Sequence, residues 1–397
     1  MLRILAVFNQ KLKLGVIGRK NTFRLLKNGI AKEHKTFWFH CASLGEYEQG
    51  LPVFKALRKT YPDHKVVLSF FSPSGYEVRK NTDVADVVVY LPLDTKRNAK
   101  RFLDLVNPDY IIFVKYEIWP NLLSEIKRRK AKAILISALF RETQSFFKWY
   151  GKFMRNALKA FQYIFTQDEK SKFLLESFGF NNITVAGDTR FDRVSDQLAI
   201  NNDIPFLEEF VSNNVCIVFG STWPADDELY IDYINSHSNN GTKFIIAPHN
   251  VKANYIEALK NQLKVKTVCY SEKKTKNLSE YGVFILDTIG YLSKAYSYAS
   301  IAYVGGGAGT TGLHNILEPA VFGIPILIGK NYQKFPEAKR LIQLGGVKAV
   351  ATNQEFENHL NALLKDESLR LKIGTINGNY IKENKGAVNQ ILDVIRI

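Results

Sequence analysis

Cysteine is scarce in this chain: three in 397 residues, Cys41, Cys216 and Cys269, far apart in the sequence. That excludes a disulfide-stapled scaffold, and the spacing offers no metal-ligand set, so the three read as reduced thiols of a cytosolic compartment. No Asp-x-Asp follows a predicted strand, and no metal or cofactor is expected. There is no low-complexity tract and no short-period repeat. No apolar run approaches the roughly 20 residues that span a bilayer. The apolar opening, Met1 to Phe8, also lacks the length and small-residue cleavage site of a signal peptide, so it reads as a short membrane-associating segment. Acidic residues are outnumbered, 38 against 54 Lys and Arg, which leaves a net charge of +16.

Such a balance favours anionic partners. The excess is uneven: residues 1–60 hold twelve Lys and Arg against three Glu, with further clusters at Lys96, Arg97, Lys100 and Arg101 and at Lys127–Lys132. No nucleic-acid motif or aromatic RNA-binding signature accompanies them, so the expected partner is an anionic membrane surface or lipid, not nucleic acid. Ser145 to Phe161 adds to this expectation. In a helix, Lys148, Lys152, Arg155 and Lys159 share one face, while Phe146, Trp149, Phe153 and Met154 lie largely elsewhere, as an interfacial segment requires. The alternative is a surface helix that packs those aromatics on the core.

Hydrophobic content of 46% and regular alternation describe a folded α/β protein. Strands are predicted at 37–40, 65–70, 87–91, 110–114, 133–137 and 163–166, and again at 216–220, 243–247, 267–270, 283–286, 301–304 and 325–328. Helical patterns fall between them, at 50–58, 95–106 and 120–129, and fill most of 360–397. Short continuous apolar strands alternating with helices imply parallel sheets covered on both faces. The length suits two domains, 1–195 and 205–397, joined by a polar linker around residues 194–207 that ends in Pro205. Two doubly wound, Rossmann-like sheets facing a central cleft are the expected architecture, with ligands beyond the carboxyl ends of the strands.

Three segments carry candidate chemistry. The stretch from Tyr303 to Pro325 reads as a strand, a glycine-rich turn with Gly306 and Gly307, and a helix beginning near His314. Glycines let backbone approach a ligand, and the N–H groups opening a helix attract phosphate; a turn that serves packing only is the alternative. Phe37 to Glu48 is the first strand-to-helix turn, where Gly45 permits a sharp bend and Glu46 projects from the loop. A carboxylate there takes a proton from a hydroxyl, or merely favours the helix start. Trp119-Pro120 and Trp223-Pro224 each open a helix beside the candidates Glu117, Ser221 and Thr222. Asp226 and Asp227 are expected on an exposed helix.

His314-Asn-x-x-Glu318-Pro followed by Gly323-x-Pro325 resembles the nucleotide-sugar site of GT-B glycosyltransferases. Further motifs extend the likeness: Ala42-Ser43-Leu-Gly45-Glu46, Ser72-Pro-Ser74-Gly, Tyr90-Leu-Pro-Leu-Asp94, Glu117-Ile-Trp-Pro-Asn121, Thr166-Gln-Asp168, Pro248-His249-Asn250 and Asp287-Thr-Ile-Gly290. In this order they resemble the 3-deoxy-D-manno-octulosonic acid (Kdo) transferases over residues 1–390. The resemblance implies an acceptor-binding first domain, a CMP-sugar-binding second domain, and metal-independent inverting transfer of Kdo from CMP-Kdo to the 6-hydroxyl of a lipid A precursor. It implies that Glu46 is the proton acceptor. It also implies that CMP is bound by Pro248 and His249, by Gly290, Tyr291 and Leu292, and by Asn315, Ile316, Leu317 and Glu318. Ser43, Gly45, Ser74, Glu117, Ser221, Thr222, Gly306, Gly307 and Lys330 are further candidate substrate contacts. The resemblance also implies work at the cytoplasmic face of the cell inner membrane. Three departures stand out: His249 where the family has Arg, Val114-Lys115-Tyr116-Glu117 for Met-Glu-Thr-Glu, and Ala186-Gly-Asp188 for Thr-Gly-Ser or Asn. The competing readings are another GT-B enzyme using a UDP-sugar and a non-catalytic module for anionic lipid.

Overall fold

The computed structural model describes residues 10–237 and 241–395; the apolar opening Met1 to Phe8 lies outside the described residues. The chain divides into two compact units, Met1–Arg193 with Lys385–Ile397, and Val194–Asn384.

The first unit is built on seven strands: β1 (Thr36–Cys41), β2 (Lys65–Phe70), β3 (Val87–Tyr90), β4 (Tyr110–Val114), β5 (Lys132–Ala138), β6 (Tyr163–Thr166) and β7 (Ile183–Val185). They form one parallel sheet in the order β3-β2-β1-β4-β5-β6-β7. Alternate side chains serve opposite faces, as a strand's period of two requires. Trp38 packs with Phe102, Phe113 and Leu123 in one core, and its neighbours Phe37 and Phe39 pack with Phe54 and Ile112 in the other. Both faces are therefore covered. Helix Gln10–Gly29, which the sequence reading did not separate from the basic N-terminal stretch, docks on the β3 side. There Arg19 donates to the carbonyls of Phe71 (2.6 Å) and Leu91 (3.0 Å), and Thr22 donates to Tyr90 (2.8 Å).

The second unit repeats the plan with β8 (Cys216–Thr222), β9 (Lys243–Pro248), β10 (Thr267–Cys269), β11 (Val283–Ile285), β12 (Ile301–Val304), β13 (Ile326–Gly329) and β14 (Val347–Val350). All pairs are again parallel, in the order β10-β11-β9-β8-β12-β13-β14. In each sheet the winding direction reverses beside the first strand, between β1 and β4 and between β8 and β12. Crevices at such switch points are where doubly wound sheets hold ligands.

Two expectations need correction. The tail does not stay with the second unit: helix Ala387–Leu392 buries Ala387 and Ile391 in the Phe37–Phe39 core of the first unit, and Asp192 accepts from the amide of Gly386 at 2.9 Å. Its apolar spacing matches that core, so residues from Lys385 onward return there. Ser145 to Phe161 is not one amphipathic helix but two short 3-10 turns and the helix Lys152–Leu158. Gly151 breaks the run by backing onto the carbonyls of Ser145 and Phe146, where a side chain would not fit. The aromatics divide as a result: Phe146 and Phe147 enter the core, while Trp149 and Phe153 face solvent.

Candidate active site

At the first switch point the helix Leu44–Thr60 follows β1 after a two-residue bend, with Ser43 as its N-cap and Gly45 in open space. Glu46 is the third residue of that helix, not a loop residue, and its side chain folds back to accept from the amide of Ala42. The residue is 7% exposed. Burial, and then the nearby charge of Glu117, push its carboxyl up to about 7; the amides of Ala42 and Ser43 and the Lys115 ammonium pull the other way without prevailing. Glu117 follows the end of β4, next in the sheet to β1. Ser74 sits in the first turn of helix Pro73–Arg79, its hydroxyl 3.0 Å from the capping Ser72.

Glu117 lies against a buried hydrogen-bond chain. His40 is fully buried, and its Nε2 accepts from the indole N–H of Trp119 at 3.0 Å. An accepting Nε2 leaves the ring proton on Nδ1, which faces Ser69 (2.9 Å to Oγ), itself the acceptor for Trp38 at 2.8 Å. The ring is therefore neutral, and its 3.8 Å approach to Glu117 is not an ion pair. Nearby, the departure at Asp188 has a structural use: it accepts from Gln49 (2.8 Å) and from Arg190, tying β7 to the Glu46 helix.

At the second switch point the equivalent helix, Pro224–His237, carries Asp226 as its third residue. Asp226 and Asp227 are buried, 0% and 5% exposed, which corrects their expected place on an exposed helix face. Asp226 accepts from the amides of Trp223 (2.9 Å), Gly306 (2.8 Å) and Ala308 (3.3 Å) and from the hydroxyl of Tyr303 (2.7 Å). It thus holds the glycine turn from inside the protein. Two of the turn's amides are committed to a side chain, and several of its glycines are there for protein packing. A Cβ on Gly329 would strike the backbone of Gly307 and Ala308, and Gly306, at φ +88°, abuts the carbonyl of Gly312. Asn331 closes the arrangement by donating to Gly309 at 2.8 Å. The helix expected from His314 begins at Leu317 and has four residues, because the amide of His314 turns back to Gly305. A helix this short aligns few peptide dipoles.

The other candidates of this unit do gather on the same edge. His249 follows β9, its amide bound to Thr222 (3.0 Å) and its ring stacked on Trp223 at 4.5 Å. Trp223 donates its indole N–H to Nε2 of His314 (3.1 Å), whose ring lies 4.7 Å from that of His249. Desolvation lowers both imidazole pKa values, so the pair is neutral near pH 7. Glu318 accepts from Ser293 (2.8 Å) and from Asn315 (3.2 Å), which brings the Gly290–Tyr291–Leu292 turn beside Asn315–Glu318. Tyr291 meets Tyr270 and Phe206 in an aromatic cluster. Lys330 is exposed just past β13.

Sequence reasoning missed Asp226, Asn331 and His40 as organisers. Only Asp226 had a legible signal, an acid at the third position after Trp-Pro. Nor is the left-handed backbone of Lys115 (φ +72°), Ser137 (φ +50°) and Ser221 (φ +56°), at the carboxyl ends of β4, β5 and β8, legible in the sequence, although Ser221 is a candidate contact and Lys115 lies in one of the departures. Such backbone costs on the order of 1 kcal/mol per residue and clusters at functional sites.

Two doubly wound parallel sheets with polar groups at both switch points define the GT-B class. The fold agrees: UDP-GlcNAc 2-epimerase from Neisseria meningitidis superimposes with a TM-score of 0.63 at 17% identity, covering 91% of this chain and 99% of that one. MurG from Acinetobacter baumannii gives 0.55 at 13% identity, with 91% and 99% covered. Residues 18–193 match the family described as 3-deoxy-D-manno-octulosonic-acid transferase (kdotransferase). Along most of the chain the similarity is to enzymes of that name: 29% identity with that of Aquifex aeolicus (91% of this chain, 97% of the relative) and 26% with that of Haemophilus influenzae (90% and 86%). The first unit thus matches the Kdo transferase family, the chain is similar along most of its length to enzymes of that name, and it is a glycosyltransferase.

Proposed function

We propose that this enzyme transfers Kdo from CMP-Kdo to the 6-hydroxyl of a lipid A precursor, in one inverting displacement and without metal or cofactor. The observation that carries the reading is Glu46: a desolvated carboxyl at a switch point, pushed up to about 7 beside Glu117. A general base works best when its pKa lies near the working pH, and this one is poised there. Glu46 removes the proton of the acceptor hydroxyl as its oxygen attacks the anomeric carbon; the bond to the CMP phosphate breaks on the opposite face through an oxocarbenium-like state. CMP is held by Pro248 and His249, by the Gly290–Leu292 turn and by Asn315–Glu318, with Glu318 on the ribose. His314 keeps its proton on Nδ1 because Nε2 accepts from Trp223, so it is a neutral donor for the departing phosphate beside His249, with Lys330 a further basic group for that charge. Ser43, Gly45, Ser74 and Glu117 border the acceptor, and Ser221, Thr222, Gly306 and Gly307 border the donor.

The enzyme works in lipopolysaccharide inner-core synthesis as a peripheral protein of the cytoplasmic face of the inner membrane; among the described residues no helix is long and apolar enough to cross a bilayer. The test is transfer of labelled Kdo, from CMP-Kdo generated in place, onto a tetraacylated lipid A precursor. Wild type should yield labelled lipid, and Glu46→Gln roughly 100-fold less at unchanged CMP affinity. Equal turnover by Glu46→Gln removes the base; no labelled lipid from a folded, CMP-binding wild type removes the acceptor.

A further inference from the structure

Three aromatic side chains within five residues of the first unit stand in solvent: Trp149 is 91% exposed, Tyr150 60% and Phe153 66%. The loop that carries them is fastened from beneath. Phe146 and Phe147 are buried against Phe140, and Gly151 backs onto the carbonyls of Ser145 and Phe146. The guanidinium of Arg155 donates to the carbonyls of Phe146 (2.6 Å) and Lys148 (2.9 Å) and covers the ring of Phe178. Outward display of the rings is therefore set by the loop's own bonding, not by a loose end. Exposed Lys148, Lys152 and Lys159 lie in the same segment, and no Asp or Glu occurs from residue 143 to residue 167.

We infer that Trp149, Tyr150 and Phe153 form a wedge that enters the headgroup zone of an anionic lipid bilayer, with Lys148, Lys152 and Lys159 on the lipid phosphates. The inference deepens the peripheral placement proposed above by naming its contact. Charge selects the occupant: a segment of 25 residues without an acid offers a protein partner of ordinary mixed charge little to pair with, whereas an anionic surface meets every lysine. Tryptophan and tyrosine suit the boundary because each has an apolar body and a polar tip. Each lysine near such a surface is worth about a fivefold change in affinity.

The full chain serves as its own reporter, since Trp38 is fully buried and Trp119 and Trp223 donate their indole N–H groups inside the protein. Its emission should shift to the blue with vesicles containing phosphatidylglycerol, not with phosphatidylcholine alone, and the shift should vanish in Trp149→Phe. Trp149→Ala/Phe153→Ala should cut vesicle binding at least tenfold, and Lys148→Gln/Lys152→Gln should weaken it and flatten its salt dependence. Melting temperatures should stay unchanged, because these side chains are exposed. Undiminished binding by the double aromatic variant, or a shift that persists in Trp149→Phe, overturns the wedge; so does binding lost only on replacing Leu14 and Ile17 of the N-terminal helix. Transfer onto a detergent-dispersed acceptor separates the two readings. The aromatic variant should retain it, and a wild type that binds vesicles but transfers nothing contradicts the proposed reaction, not the wedge.

Discussion

Glu46 and Asp226 occupy the same place in two copies of one plan, and their surroundings make them opposites. Each is the third residue of the helix that follows the first strand of its sheet, at the switch point, and each turns back toward the amides at the helix start. Each neighbourhood also contains a Trp-Pro helix start whose indole donates to a histidine Nε2, Trp119 to His40 and Trp223 to His314. Asp226, however, collects four donors within 3.3 Å and sits in no solvent at all. Glu46 has two backbone amides, a buried setting and the like charge of Glu117. A fully satisfied carboxylate is a structural bolt; an undersatisfied one holds its proton into the neutral range and can exchange it with a substrate. The same local geometry thus yields scaffold in one unit and a candidate base in the other, and the number of donors separates them.

The strongest way to break this contrast is to remove both carboxylates. Asp226→Ala strands three amides and the Tyr303 hydroxyl in the interior, so it should destabilise the second unit by at least about 3 kcal/mol in urea unfolding. Glu46→Gln should do the reverse above neutrality. A carboxyl whose folded pKa of about 7 exceeds its ordinary 4.5 favours the native state only while protonated; its contribution is present at low pH and is lost as pH rises from 4.5 through 7. Replacing it with a neutral isostere removes that loss. Glu46→Gln should therefore unfold at higher urea than wild type at pH 8, by up to about 3 kcal/mol, and match it near pH 4. A variant less stable at pH 8 would make Glu46 a bolt like Asp226.

The strands were legible where sheets are buried on both faces. Tyr110–Val114 and Ile301–Val304 were read to the residue because every side chain is apolar and covered. The two strands missed, Ile183–Val185 and Val347–Val350, are edge strands with half-exposed positions, so their apolar signal is interrupted by Thr184 and Lys348. Of the candidate site, Glu46 and the Asn315–Glu318 segment were visible as motifs. Asp226 was misplaced because its burial depends on Tyr303 and the glycine turn, some 80 residues away, and no local pattern encodes such a partner. Ser221 and Lys115 stood in motifs, but their left-handed backbone left no trace, since φ is set by the fold around them. Tail residues from Lys385 onward read as helix, but a helical period does not say which core receives it.

A finer test concerns how Glu117 tunes Glu46. Its charge is the second cause of the raised pKa, after burial, so Glu117→Gln should move the acid limb of the kcat/KM profile to lower pH. Lys115 opposes that shift, and Lys115→Met should move the limb upward. A profile unmoved by both would show that another group sets it.

The smallest expected effects separate the two Trp–His pairs. Trp119→Phe leaves Nε2 of His40 without its donor at a fully buried position, where an unsatisfied acceptor costs about 1–3 kcal/mol. Trp223→Phe does the same to His314, but that ring is only partly buried and water can replace the indole, so about 0.5–1 kcal/mol is expected. Activity should divide the other way. Phenylalanine at 119 keeps the ring against Phe71, so loss of turnover there should track displacement of Glu117 and appear in kcat. At 223 the proton of His314 is no longer fixed on Nδ1 and the stack under His249 is thinner, so the loss should appear in the KM for the donor. Equal penalties in both units would mean that the paired indoles serve the fold alone, and that the difference between the switch points resides entirely in their carboxylates.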